Sequence, residues 1–161
     1  MLRVEYGGSA YGARLVTDQP FQPGQLIHRI ISYRLVTQPT YQRIQVSAAE
    51  HIEELGVVAY LNHSCHPNTV VDTRALTVTA ARDIAAGEEL TFFYPSTEWE
   101  MDRPFICLCG SPHCVRLVAG AKYLSIDTLS RYFINHHIHQ LILDILARPT
   151  IHSPAAPRPP A

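Results

Sequence analysis

Asn62-His63-Ser64-Cys65-His66-Pro67-Asn68 is the stretch on which the reading of this chain turns. It is compact and polar. It follows the apolar run Val57-Val58-Ala59-Tyr60-Leu61 and precedes the strand-like Val70-Val71. A polar loop between two buried segments has to satisfy its polar groups locally or through a bound group, because an unpaired buried polar atom costs free energy. Its single cysteine, Cys65, has no partner nearby in sequence. The other three cysteines all lie together, at Cys107, Cys109 and Cys114.

That distant cluster is the first clue to the loop. Cys107-x-Cys109-x4-Cys114 lets one turn of chain wrap an ion, with Gly110 where the backbone must bend freely. Structural zinc is tetrahedral and favours thiolates, and Cys65 supplies the fourth vertex. Two other readings of the same residues stand beside this one. His66 or His113 replaces one thiol as ligand, or the cysteines are buried free thiols. Met1 to Gly8 has no apolar run of signal-peptide length, so metal or redox chemistry is expected over disulfides.

Outward from the loop, short strands and turns dominate. Ala13-Arg14-Leu15-Val16 and Gln25 to Ile31 read as strands separated by the turn residues Pro20 to Gly24. Ser47-Ala48-Ala49-Glu50 has a capping-box pattern and predicts a short helix over 48–55. Thr69 to Asp72 and Ala75 to Ala81 read as a hairpin across Thr73-Arg74, and Glu89 to Tyr94 as a strand halted by Pro95. Apolar residues at helical spacing, among them Ile126, Leu129, Phe133, Ile134, Ile138 and Leu141, predict one helix over 125–147. The Pro- and Ala-rich stretch 148–161 is expected to be a disordered tail. Many short strands with regular turns indicate a mainly β fold with short helices.

The 161 residues suit one domain with a real core. A formal net charge of −1 excludes a broadly basic nucleic-acid-binding face, and no window approaches a membrane span. The expectation is a soluble intracellular protein of nucleus or cytoplasm. His136 and His139 share a helical face without a nearby acid, which fits solvated histidines better than a metal site. Trp99, in Pro95 to Met101, is expected to anchor the following loop.

Three blocks together resemble one family. Asn62 to Asn68 is similar to the NHSCxPN signature of SET-domain methyltransferases. Gly87 to Tyr94 resembles the family's GEELTFDY, and Cys107 to Cys114 its post-SET CxCGxxxC. The resemblance implies a SET domain over 1–97, a post-SET zinc segment over 98–120, a C-terminal helical segment over 121–147, and the tail. It implies a β fold with a knot-like crossing, S-adenosylmethionine on one face and a lysine channel on the other. By motif, Ala10, Tyr11, Gly12, Asn62, His63, Tyr94 and Leu108 would contact the cofactor. Tyr94 would be catalytic, and Cys65, Cys107, Cys109 and Cys114 would hold one structural zinc. Phe92 takes the place of the family's Phe/Tyr switch. Ala10, Phe93 and Pro95 depart from the usual residues. The activity implied is protein-lysine N-methylation, of a histone or another protein. Two alternatives remain: a SET-fold enzyme acting on a small molecule in a biosynthetic pathway, with or without net methyl transfer, and a non-catalytic binding module. Desolvation in an aromatic channel would favour the neutral amine that methyl transfer needs, and Tyr94 would orient it.

Overall fold

The computed structural model describes residues 1–7, 12–54 and 56–147. The expectations for Ala10, Tyr11 and the 148–161 tail lie outside these residues. Among the described residues, twelve short strands form five small sheets. β1 (Leu2–Tyr6) pairs antiparallel with β2 (Ala13–Thr17), bringing Tyr6 opposite Ala13. β3 (Leu26–Arg29) is followed by β4 (Tyr33–Val36), β5 (Arg43–Gln45) and β6 (His51–Glu54). β6 lies between β4 and β5 in a three-stranded antiparallel sheet. A 3-10 turn, Val57–Tyr60, then leads into β7 (Asn62–His63).

β8 (Thr69–Asp72) and β9 (Thr77–Ala80) make the expected hairpin, with β3 on the other side of β9. Its turn is longer than the sequence indicated and needs no Gly or Asn. Asp72 Oδ1 accepts from the Arg74 and Ala75 N–H groups, each at 2.9 Å, and Leu76 takes the left-handed conformation at φ 53°. An aspartate bonding its own turn replaces the usual turn residues. β10 (Thr91–Phe92) runs parallel to β7, pairing Thr91 with Asn62 and Phe92 with His63. This brings the 62–68 loop and the 91–94 segment side by side, where the resemblance puts its crossing. Asn68 locks the two together: Nδ2 donates to Glu89 O at 2.7 Å and Oδ1 accepts from Thr91 N–H at 2.8 Å. The last strands, β11 (Phe105–Ile106) and β12 (Leu117–Val118), bracket the three clustered cysteines.

Two apolar clusters hold this together. The larger gathers Leu15, Ile52, Val71 and Val78 from strands and Ile84 and Leu90 from the segment between β9 and β10. The second gathers Phe93, Ala121, Leu129, Ile134 and Ile138. Trp99 is half-buried against this second cluster, and the Trp99 carbonyl lies where a Cβ on Gly120 would stand, 2.4 Å away. The expected anchoring role of Trp99 fits these contacts.

Three sequence expectations are corrected. Within the helix expected over 48–55, the described residues 48–54 are not helical: β6 occupies His51–Glu54. Ser47 Oγ does accept from the Glu50 N–H at 3.0 Å, so the local capping contact forms. The chain then pairs with β4 and β5 on both sides, and that pairing overrides helix propensity. The strand expected over 89–94 is confined to Thr91–Phe92, and Tyr94–Ser96 is a 3-10 turn with Pro95 near its start. The single helix over 125–147 is two: α1 (Ile126–Leu129), capped by Ser125, and α2 (His136–Leu146), with Asn135 at its N-cap. Asn135 is 1 % exposed. Its Nδ2 donates to Val71 O and Ser96 O, and its Oδ1 accepts from Thr73 N–H and Oγ1. Four bonds to other elements break the helix at that residue.

Candidate active site and thiol cluster

Strand β7 sets the site. Its two residues are buried between β10 and the end of β2, and they border a cleft of about 500 Å³. Gly12, Asn62, His63 and Tyr94 all line that cleft, with Tyr6, Tyr60 and Phe105. Of the expected cofactor residues within the described chain, these four are brought together. Leu108 is exposed and does not line the cleft. Gly12 has φ 85°, a conformation glycine adopts freely, and among the described residues nothing lies within 4 Å of where its Cβ would be. Backbone there is open to close approach by a bound molecule.

Asn62 and His63 are held from behind. Asn62 Nδ2 donates to Ala13 O and Glu89 Oε1, both at 2.8 Å, so its amide hydrogens are committed and its orientation is fixed. His63 Nδ1 accepts from the Tyr94 N–H at 3.2 Å. The proton therefore sits on Nε2, which donates to Cys65 Sγ at 3.2 Å. Burial pushes the imidazole down to about 4, so the ring is neutral. His63 thus borders the cleft with both ring nitrogens already used.

Tyr94 stands where two cavities meet. On one side is the cleft. On the other is a pocket of about 40 Å³, bordered by Leu61, Phe92, Arg43 and Glu98 as well as Tyr94. The smaller volume admits only a slender group. The Tyr94 hydroxyl donates to Leu61 O at 2.8 Å, and its ring packs on Phe92 and Phe105. Phe92 is 5 % exposed. Phe93 points the other way and stacks on Tyr132 at 3.7 Å, as core packing predicts.

The four cysteines converge. Their Sγ atoms all lie within 4.8 Å of one another, and all four are free thiols. A tetrahedron with zinc–sulfur bonds of about 2.3 Å has sulfur–sulfur edges of about 3.8 Å. Cys65 and Cys107 Sγ are 3.9 Å apart, although 42 residues separate them in sequence. Burial pushes the Cys65 thiol up and brings Cys107 to about 11. Burial opposes ionisation at Cys109 as well, but hydrogen bonds from the Ser111 and Cys65 backbones and from the Cys107 and Cys114 thiols together outweigh it and lower that thiol to about 7. The donor set fits a metal that takes thiolates, and neither His66 nor His113 is in the group.

Sequence reasoning missed several participants. Glu89 orients Asn62, Phe105 packs on His63 and Tyr94, and Tyr132 donates to Cys65 O at 2.9 Å. Glu98 belongs to no motif, and its burial is a tertiary property that no local pattern displays.

Comparison with known proteins agrees with this geometry. The SET domain family model matches residues 12–95, more than half of the chain. Methyltransferase flvH of Aspergillus flavus is 37% identical over 143 residues, covering 88% of this chain and 80% of that protein. A histone-lysine N-methyltransferase of Cryptococcus neoformans, H3 lysine-36 specific, is 34% identical over 86 residues, half of this chain and 10% of that protein. Among solved structures, the methyltransferase domain of human SETMAR superposes with a TM-score of 0.55 at 18% identity, covering 74% of this chain and 59% of that one. A matched family model, a relative matched over most of its length and a shared fold lead to one conclusion: the chain belongs to the SET domain family of S-adenosylmethionine-dependent methyltransferases.

Proposed function

We propose that the chain methylates an alkyl amine, with a lysine side chain of a protein as the leading substrate. The observation that carries this is the meeting of a wide cleft and a narrow pocket at Tyr94. Ligand clefts of several hundred Å³ suit a nucleoside-sized molecule, and the narrow side suits an unbranched chain. The open backbone at Gly12 and the committed side chains of Asn62 and His63 fit the cofactor to the wide side. When bound there, S-adenosylmethionine supplies an activated methyl group. The protein's part is positioning. Phe92, Leu61 and the Tyr94 ring exclude water and favour a neutral amine. The Tyr94 hydroxyl, pinned to Leu61 O, presents a fixed dipole where the amine must line up. The four thiols would hold one zinc ion, closing the 62–68 loop onto the segment after β10.

Calorimetry with S-adenosylmethionine on the zinc-loaded chain is the first test. No binding at millimolar concentration would sink the reading. Tyr94→Phe is expected to leave cofactor affinity within about threefold and to cut turnover by about a hundredfold or more. Equal turnover would remove Tyr94 from the reaction.

A small-molecule amine is the second reading, and one observation favours it. The histone enzymes match over 66–133 residues and only 5–13% of their own length, whereas the relative matched across most of its length carries no histone name. Parallel assays on histone octamers and on free alkyl amines separate the two.

A further inference from the structure

Among the described residues, Glu98 is the only buried carboxylate, at 9 % exposure. It borders the narrow pocket beside Tyr94 and Phe92. Its Oε1 accepts from the Gln45 N–H at 2.9 Å and from Thr97 Oγ1 at 3.2 Å, which fixes the side chain without neutralising it. Among the described residues, Oε2 makes no hydrogen bond, and His51 Nε2 lies 3.9 Å from it.

The charged groups around it do not answer Glu98. His51, on β6, is kept neutral by burial and by the field of Arg43. Arg43, on β5, pairs with Glu53 and donates to Gln38 O. Asp102 and Arg103, at the same pocket, pair with each other at 3.6 Å. His137, on α2, bonds Thr97 O rather than the carboxylate. Burial alone pushes the Glu98 carboxyl up to about 7, which is the signature of a carboxylate without a counter-charge. A buried acid of this kind costs stability, and an acid retained in a pocket wall at such a cost marks a binding function.

We propose that Glu98 is the specificity-determining residue of the narrow pocket, its Oε2 pairing with the ammonium group of an alkylamine that enters beside Phe92 and Tyr94. This rests on the amine reading above. Pairing sets the choice of a cationic over a neutral chain of the same length. It transfers no group by itself, and the ammonium gives its proton to solvent before the neutral amine reacts.

The test is a pair of chemical-shift titrations at pH 8 on the full zinc-loaded chain, one with n-butylammonium and one with 1-butanol as its uncharged counterpart. A hydrogen bond to a charged group is worth about tenfold or more in affinity. The wild type is expected to prefer butylammonium by about tenfold, Glu98→Gln to bring the two within about threefold, and Glu98→Asp to restore part of the preference. Unchanged affinity of both variants for S-adenosylmethionine shows that the fold is kept. Equal binding of the two probes by the wild type, failure of butylammonium to bind at tens of millimolar, or a tenfold preference surviving in Glu98→Gln would each overturn the proposal. If the wild type shows the preference yet methylates no amine, the functional reading falls and this one stands. If Glu98→Gln methylates amines with the wild-type KM, the reverse holds.

Discussion

Removing the metal is the perturbation with the widest expected reach. Cys65 and Cys107 are 42 residues apart in sequence and 3.9 Å apart at sulfur, so an ion between them closes a long loop. The chain-entropy relation for a cross-link of that length gives about 4 kcal/mol. For a chain of this size that corresponds to a fall in melting temperature of about 8–16 °C. The effect should extend to the cofactor. Asn62 and His63 border the cleft, and Cys65 is two residues on in the same loop. A loop ordered a tenth of the time binds tenfold more weakly. The assay is scanning calorimetry and S-adenosylmethionine titration before and after chelation, with metal content measured by mass spectrometry. Two variants separate loop closure from local wrapping. Cys65→Ser removes the long-range closure and should resemble the chelated protein. Cys109→Ser keeps Cys65 and Cys107 and should lose less. An unchanged melting temperature after verified zinc loss would refute the cross-bridge. A larger loss in Cys109→Ser than in Cys65→Ser would refute the loop-closure argument specifically.

The remaining predictions concern stability. Gly120→Ala puts a Cβ 2.4 Å from Trp99 O in a backbone conformation with φ 117°, and about 3 kcal/mol or more should be lost in urea titration. A loss under about 1 kcal/mol would mean that the Trp99 segment yields easily. Asn135→Ala leaves Val71 O and the Thr73 N–H without their side-chain partner and should cost about 3–4 kcal/mol, against near-neutrality for the exposed His136→Ala. Glu98 has a folded value of about 7, above its unfolded value of 4.5. The folded state therefore holds more protons between those values, and its contribution is full below pH 4.5 and lost as pH rises through 7. Glu98→Gln should be more stable than wild type by about 3 kcal/mol at pH 8 and nearly equal to it at pH 4.5. A difference independent of pH would contradict the assigned ionisation. The variant comparison matters because His51 and His137 have lowered values and act in the opposite direction in both proteins.

What the sequence displayed and what it hid follow from range. The loop, the three clustered cysteines and the Gly87 to Tyr94 block are local patterns, and the convergence of Cys65 on the others follows from counting vertices. The helix break at Asn135 is invisible to such reasoning. Apolar spacing continues across it, from Leu129 through Phe133 and Ile134 to Ile138, and the break is imposed by Val71, Thr73 and Ser96. Ser47 and Glu50 make the contact their pattern predicts, and the chain still becomes a strand because β4 and β5 offer it two partners. Glu98 fails for a third reason. Its significance lies in being buried without a cation, and no composition or spacing encodes that.

The loop from Leu61 to Cys65 is more than a place where two sites happen to be adjacent. Tyr94 grips it twice, donating its hydroxyl to Leu61 O and its backbone N–H to His63 Nδ1. The second bond fixes the His63 tautomer, and that tautomer aims Nε2–H at Cys65 Sγ. A neutral ring with its proton on Nε2 can stabilise a thiolate there, which a metal requires. Tyr132 holds the Cys65 carbonyl from the other side and stacks on Phe93, the residue before Tyr94. The aromatic residue at the proposed reaction centre and the cysteine at the proposed metal are therefore connected by one histidine with no spare nitrogen. His63→Ala would free the Tyr94 N–H and the Cys65 sulfur together. It should weaken metal retention and cofactor binding in the same variant, whereas two independent sites would let one survive the loss of the other.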